Sequence, residues 1–80
     1  MSHQVTELWA WVADDASGEE GICASILPDL GTTPLITSKE HIAREIMLPM
    51  AVQISARFQK TVRLRRFVLD DVGDLEVINP

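Results

Sequence analysis

The first clear pattern along the chain lies in residues 5–13, where apolar side chains occupy both alternating sets of positions. Leu8 and Val12 belong to one set, whereas Trp9 and Trp11 belong to the other. Aromatic and β-branched residues favour strands, and apolar residues on both faces are typical of a strand in the middle of its sheet. The pattern therefore predicts a central strand.

Three further stretches also predict strands. Residues 21–27 are apolar and follow a polar, glycine-containing loop at residues 14–21, which is typical of a hairpin. Residues 61–69 alternate between apolar positions and positions that are mostly basic or aromatic. Residues 34–36 are expected to form a brief edge strand.

The stretch from Thr37 to about Gln59 predicts a helix that covers the sheet. Thr37 followed by Glu40 fits a capping box, and Ile36 before it is available as a hydrophobic staple. Beyond this start, large apolar residues recur every four positions, as they do along one side of a helix. They are Ile42, Ile46, Met50, Ile54 and Phe58, and Ala43, Met47 and Ala51 join them on the same side.

Pro49 interrupts this helical pattern. Because proline lacks the N–H that a helix interior requires, the sequence predicts either a kink at Pro49 or two abutting helices. Leu48, Val52 and Ala56 form a second apolar stripe on the same stretch. Either this stripe packs beneath residues 28–37, or it remains exposed and binds a partner.

The order strand–strand–helix–strand predicts an α+β fold, a two-layer ββαβ sandwich. A hairpin joins the first two strands, and a right-handed crossover brings the third strand beside the first. The three-stranded sheet then has the order 2-1-3, with one kinked helix on one face. Either the two tryptophans or Leu8 and Val12 lie on the open face. This order also sets Arg63 and Arg65 on the strand next to Glu7.

The chain of 80 residues is long enough for one domain, and its ends, residues 1–4 and 75–80, are expected to be frayed or to form an edge strand. Small folds often gain stability from a disulfide, a metal or a second subunit. The single cysteine, Cys23, excludes an intrachain disulfide, and two histidines with one thiol do not make a structural zinc set. We therefore expect a homo-oligomer, with a dimer favoured, and neither a cofactor nor a metal.

Charge is divided into three blocks along the chain. Residues 1–36 carry −6, residues 37–69 carry +5 and residues 70–80 carry −4, which gives the net charge of −5. In so short a chain the blocks must fold against each other. We therefore expect ion pairing within the molecule or across an interface between subunits.

Several features of the composition indicate a cytoplasmic protein. A lone thiol fits a reducing compartment, because secreted domains of this size usually carry paired cysteines. Residues 1–4 have neither a basic nor an apolar region of the kind that begins a secretory signal. No apolar run approaches the roughly 20 residues of a membrane span, so no membrane partner is expected.

Four apolar residues are candidates for an interface. Trp9 and Trp11 stand two positions apart on the central strand, where they pack in a core or subunit interface or stack on nucleic-acid bases. Leu48 and Val52 belong to the second helical stripe. The net charge of −5 opposes attraction to a polyanion, so nucleic acid is the disfavoured partner.

A basic cluster marks the third strand. Arg63, Arg65 and Arg66 are candidates for contact with an anion or with an acidic partner. The structural alternative is that they form ion pairs with acids on neighbouring strands or subunits, each exposed pair contributing about 0–1 kcal/mol.

No residue pattern indicates catalysis. Neither histidine has an identifiable serine or cysteine partner for a hydrolytic triad. The acids around the hairpin loop do not have the spacing of a calcium-binding loop, and a solvated loop is the expected alternative. These acids are Asp14, Asp15, Glu19 and Glu20. The protein is not expected to be an enzyme.

Four segments together resemble small uncharacterised proteins of tailed-phage and prophage genomes. In those proteins a WVAxDxxGxEGI opening precedes a PLI stretch, a helix and a closing VRLxRF strand. The matching segments are residues 7–13, 18–22, 30–36 and 62–67. The resemblance implies a phage-derived protein that works in a bacterial cytoplasm.

This chain departs from that pattern just before the last strand. A turn glycine is common there in the proteins it resembles, whereas this chain has Phe58, Gln59 and Lys60. The resemblance therefore leaves open how the helix joins the last strand.

Two hypotheses about function follow. The first is a small phage-type accessory protein that acts as a protein-interaction module, self-associates and binds a host or phage protein. The second is an accessory protein that contacts nucleic-acid backbone through the strand bearing Arg63, Arg65 and Arg66. Salt dependence distinguishes them, because affinity for a polyanion falls steeply as salt rises.

Overall fold

The computed structural model describes residues 4–29 and 31–80. The strands that lie within these residues form two antiparallel sheets, and the helical segments follow the fifth strand along the chain. The elements are β1 (Glu7–Asp14), β2 (Glu20–Ile22), β3 (Ala24–Leu27), β4 (Gly31–Pro34), β5 (Ile36–Thr37), a π-helical turn (Ile42–Ile46), the helix α1 (Leu48–Phe58) and β6 (Arg63–Val68).

Strand β1 lies at the centre of the larger sheet, as its apolar residues predict. Trp9 is opposite Thr37 of β5 on one edge and opposite Arg66 of β6 on the other. Val12 is likewise opposite residues of both β2 and β6. Strand β6 therefore occupies one edge of β1, and the short strands β2 and β5 share the other edge.

The second hairpin leaves this sheet at a three-way junction of backbone hydrogen bonds. The Trp11 N–H donates to the Leu35 carbonyl over 3.0 Å, and the Cys23 N–H donates to the Trp11 carbonyl over 2.8 Å. The Leu35 N–H donates to the Cys23 carbonyl over 2.8 Å. Beyond this junction β3 and β4 pair only with each other. Trp11 thus holds both ends of the projecting hairpin.

The helical region begins at Glu40 with a wide turn. The Met47 N–H donates to the Ile42 carbonyl over 3.0 Å, five residues back, whereas an α-helix would use the carbonyl of Ala43. The Ala43 carbonyl instead accepts the indole N–H of Trp11 over 2.9 Å. This hydrogen bond fixes the wide turn against β1.

Pro49 stands in the first turn of α1, so it starts a second helical segment after the bend at Met47. Its missing N–H has no consequence there, because the first N–H groups of a helix have no partner within the helix. Of the two structures that the sequence left open at Pro49, the chain adopts two abutting segments.

The end of α1 is the junction that the sequence left open. Gln59 adopts a left-handed conformation with φ of 54°, and its N–H donates to the Ser55 carbonyl. Glycine commonly fills this position at helix ends, because a side chain is unfavourable there. In this chain Gln59 fills the position, and α1 ends without a glycine.

The buried core is small and consists mainly of small residues. Ala10, Val12, Leu35, Ala43 and Ala51 are the buried apolar residues within the described chain. Ala43 and Ala51 are the buried residues of the helical region, because the bulky Trp11 ring fills the space beneath it. Leu35 and Val12 are the largest of the five.

The coarse prediction of an α+β fold is confirmed, but the predicted three-stranded ββαβ sandwich is matched only loosely. The region 21–27 is not one strand, because its pairing changes from β1 to β4 at Cys23. The same change occurs at Leu35 in the predicted edge strand 34–36. Residues 75–78 form no strand, and residues 1–3 lie outside the described part of the chain.

Two details of the helix prediction are wrong. The Thr37 hydroxyl accepts the N–H of Lys39 over 3.1 Å rather than that of Glu40, and the Glu40 carboxylate instead accepts a hydrogen bond from Arg44. The predicted capping box therefore does not form. In the predicted apolar face, Ala43 and Ala51 are buried as expected, but Ile46 and Phe58 are more than half exposed, because the small alanines lie against the sheet.

We predict that Trp11→Phe lowers the free energy of unfolding by about 1–2 kcal/mol more than Trp9→Phe. Both changes replace an indole by a smaller phenyl ring, but only Trp11→Phe removes the N–H that donates to the Ala43 carbonyl. Urea unfolding followed by circular dichroism measures the difference. Equal destabilisation by the two changes would contradict the role of the Trp11 hydrogen bond.

Candidate interaction surfaces

The predicted basic cluster on β6 is paired with acids of the first two strands. Arg63 donates to Asp14 over 3.3 Å and to Glu20 over 2.9 Å. Arg65 donates to the other oxygen of Glu20. These contacts confirm the expectation that the acidic N-terminal block pairs with the basic block.

The pairing crosses the whole width of the sheet. Arg63 stands on β6 opposite Val12, and Arg65 stands opposite Ala10, whereas Glu20 lies on β2 at the far edge of β1. Arginine side chains that reach Glu20 must therefore pass over β1. Ala10 is 0% exposed and Val12 is 1% exposed, although these two residues face away from the helix. We call this covered surface the arginine face.

Arg66 points to the opposite side of β6, because side chains alternate along a strand. Its Nε atom donates to Glu7 over 2.9 Å. The hydrogen bond from Arg66 lowers the pKa of Glu7, and the bonds from Arg65 and Arg63 lower the pKa of Glu20. The expectation that the strand of Arg63 and Arg65 lies next to Glu7 is confirmed, and Arg66 of that strand makes the contact.

One acid of the first hairpin loop, Asp15, stabilises the loop itself. One Asp15 oxygen accepts hydrogen bonds from the Ser17 hydroxyl over 2.6 Å, from the Ser17 N–H and from the Glu19 N–H. The Ser17 hydrogen bond is the main reason that the pKa of Asp15 is lowered. Gly18 supplies the positive φ of 86° that this turn needs. These contacts give the loop the structural role that the sequence favoured.

An apolar groove runs between α1 and the start of β6. It has a volume of about 400 Å³, and Trp11 contributes to its lining beneath the helix. Leu48 is 43% exposed and Val52 is 57% exposed along its rim. We call this surface the helix groove. Its lining consists of Trp11, Leu48, Ala51, Val52, Ser55, Ala56 and Val62.

Three of the four predicted interface residues meet in the helix groove, but Trp9 does not. Trp9 lies on the same side of β1 as Trp11, beside Ser38 and Lys39 in a separate shallow cleft. The tryptophans therefore occupy the helix-facing side, and Leu8 with Val12 the other.

The suggestion that the second helical stripe packs beneath residues 28–37 is wrong for the described residues. The helix turns a different side toward the projecting hairpin. Ile54 and Phe58 line a cleft with Ala24 and Ile26 of β3, whereas no described residue of 28–37 lines the helix groove. Leu48 and Val52 are left in solvent for this reason.

Cys23 lies at the junction of the two hairpins and is half-buried. Burial raises the pKa of its thiol, and the nearby charge of Lys60 offsets this effect only in part. A thiol with a raised pKa remains protonated near neutral pH and is a weak nucleophile. The environment of Cys23 therefore favours a packing role.

Sequence reasoning missed three participants in these surfaces. Glu20 was assigned to a solvated loop, but it starts β2 and binds two arginines. Its position directly across from Asp14 in a hairpin register was the signal that could have identified it. Ser55 and Val62 were not associated with the helix groove, because their proximity depends on the turn at Gln59.

Comparison with known proteins identifies no relative: no family model matches the chain, and neither a curated protein nor a solved structure matches it. Within residues 4–29 and 31–80, no helix combines the length and the apolar character needed to cross a membrane. The same residues contain no group of three or more His, Cys, Asp or Glu side chains placed to hold a metal ion.

We predict that stability falls as the pH drops below the ordinary glutamate pKa of 4.5. Glu20 and Glu7 have lower pKa values in the folded chain than in the unfolded chain, so the unfolded chain binds protons first. Their stabilising effect is complete above 4.5 and is lost as the pH falls through the folded pKa values. Glu20→Gln should reduce this pH dependence.

Urea unfolding of the natural chain and of Glu20→Gln at about pH 7 and about pH 3.5 measures this effect. Glu19→Gln is the matched control, because Glu19 belongs to the same hairpin and forms no ion pair within the described residues. A loss of stability that is the same for the natural chain and for Glu20→Gln would contradict the prediction.

Proposed function

We propose that this chain is a small accessory protein of the phage type that acts as a protein-interaction module and self-associates through the helix groove. The single observation that carries the proposal is the large apolar surface that the described chain leaves in solvent. The module would bind a host or phage protein as its target. Catalysis has no part in the proposal.

Surface area supports association. A compact monomer of 8.9 kDa is expected to expose about 4,800 Å², whereas this chain exposes 6583 Å². The difference, about 1,800 Å², is roughly twice the area that one partner contributes to an interface of standard size. Its radius of gyration, 14.5 Å, likewise exceeds the roughly 12 Å of a compact chain of this length.

The chemistry of the exposed residues supports the helix groove as the contact surface. Its rim residues Leu48 and Val52 flank a half-buried tryptophan, and apolar residues around an aromatic anchor are typical of the centre of an interface. Ser55 and Ala56 are small, so another chain can approach α1 closely along this side. Burying such surface contributes about 25 cal/mol per Å² before the costs of association.

We predict that Val52→Glu raises the dissociation constant of the self-associated form by about tenfold or more, because a charge in the groove must be desolvated. Ile46→Glu is the matched control. Ile46 is 55% exposed, close to the 57% of Val52, and lies in the neighbouring helical turn outside the groove. Sedimentation of the purified proteins over a range of concentrations measures both constants.

Circular dichroism should show that both variants remain folded, because both positions are solvent-exposed. Equal dissociation constants for Val52→Glu and the natural chain would exclude the groove as the interface. A natural chain that sediments only as a monomer at tens of micromolar would exclude self-association itself.

The alternative function is contact with nucleic-acid backbone through Arg63, Arg65 and Arg66. It requires these arginines to exchange their carboxylate partners for phosphates. Binding of a single-stranded and a duplex oligonucleotide at rising salt tests it. If this alternative operates, affinity is measurable at low salt, falls steeply as salt rises and is lost in Arg65→Gln. The groove proposal expects no such binding.

A further inference from the structure

We infer that the C-terminal segment Asp74–Ile78 of one copy binds as an added strand along the outer edge of β6 in a second copy. This inference rests on the proposed self-association and identifies the elements that carry it. The segment and the edge complement each other in backbone groups, charge, length and side-chain pattern.

The outer edge of β6 presents a row of backbone groups. Trp11 directs its N–H and C=O toward the edge of β1 that β2 and β5 occupy. Because neighbouring residues of a strand direct these groups to opposite edges, Ala10 and Val12 direct theirs toward Arg65 and Arg63 of β6. The alternate residues of β6 therefore direct their N–H and C=O groups away from β1. These residues are Leu64, Arg66 and Val68.

Within residues 4–29 and 31–80, β6 pairs with β1 alone, so this outward row has no backbone partner. An exposed row of this kind is a template for pairing with another strand. A segment of complementary chemistry can pair with it in place of solvent.

Charge determines which segment fits. Three of the six residues of β6 are arginines, so two copies of β6 placed edge to edge would bring like charges together. An acidic segment placed at the same edge would instead be attracted by the arginines of β6. Residues 70–80 contain four acids and no base, and two of the acids, Asp74 and Glu76, fall within the proposed strand.

The C-terminal segment is available and has the required length. The last backbone bond of β6 with the sheet joins the Leu69 N–H to the Thr6 carbonyl over 2.8 Å, and the chain leaves the sheet after it. Leu75, Val77 and Ile78 are then 103%, 65% and 88% exposed. Five residues, 74–78, are enough to lie along residues 63–67, which include Leu64 and Arg66 of the outward row.

The side-chain pattern also fits one register. If Glu76 lies beside Arg65, its carboxylate is on the arginine face, and the alternating residues Leu75 and Val77 lie on the side of the helix groove, next to Leu64. This relation holds for either strand direction. The added strand would extend the apolar surface of the groove, and it would bury side chains that are largely exposed in the single chain.

Cross-linking between copies tests the inference. In the full-length Cys23→Ser background, chains carrying Arg65→Cys are mixed with chains carrying Glu76→Cys and oxidised mildly. Facing residues of adjacent strands lie within the Cα separation of a disulfide, so we expect a mixed cross-linked dimer on a non-reducing gel. Ile26→Cys mixed with Glu76→Cys is the control, because Ile26 is 80% exposed on the other hairpin.

A chain that carries both Arg65→Cys and Glu76→Cys tests whether the segment pairs with the β6 of its own chain instead. An intrachain disulfide in this chain would overturn the inference, because the segment would then pair with its own β6. A mixed dimer no more abundant than the Ile26→Cys control would overturn it as well. A mixed dimer well above that control supports it.

Sedimentation of full-length Val77→Pro separates this inference from the proposed function. Proline removes an N–H and cannot continue a central pairing, so the dissociation constant should rise about tenfold, whereas Asn79→Pro, outside the segment, should leave it unchanged. If Val77→Pro associates like the natural chain while Val52→Glu does not, the inference fails and the groove proposal stands. If the natural chain is monomeric, both fail.

Discussion

Trp11 connects the projecting hairpin, the helical turn and β6 to the central strand. Its backbone N–H and C=O bind both ends of the projecting hairpin, and its indole N–H binds the wide helical turn at Ala43. On the opposite edge it faces Leu64 of β6. A wide turn releases the Ala43 carbonyl from its usual helical partner, and the indole supplies the replacement donor. The helix position and the hairpin junction therefore depend on a single residue of the central strand.

The charge blocks have a comparable structural effect on the other side of the sheet. Glu20 draws Arg63 and Arg65 across β1, and their aliphatic parts cover Ala10 and Val12 where no helix lies. A face that the sequence left open is thereby covered in part by charged side chains. Ile22 and Phe67 on the same face remain 48% and 37% exposed, so apolar surface remains here as well as on the helix side.

The parts of the fold that follow from local pattern could be predicted from the sequence, and those set by distant contacts could not. Alternation in residues 5–13 and 61–69 identified the paired strands, and the charge blocks indicated their ion pairs. Nothing local marks the break at Cys23, because its cause is the Trp11 carbonyl. The helical spacing placed Ala43 and Ala51 correctly on the contact face of the helix but not Ile46 and Phe58, because the indole leaves room only for alanine. Leu48 and Val52 were associated with a partner surface, but their position beside Trp11 depends on the bend before Pro49.

The small core and the unpaired outer edge of β6 both leave surface of the single chain in solvent. Three of the five buried apolar residues of the described chain are alanines, and larger apolar side chains such as Val52 and Leu75 remain exposed. An exposed strand edge invites indiscriminate pairing, and natural proteins limit this with charge. The arginines of β6 disfavour pairing of one β6 with another and favour an acidic strand. In the proposed assembly, the same residues that close the arginine face would therefore also select which segment binds beside it.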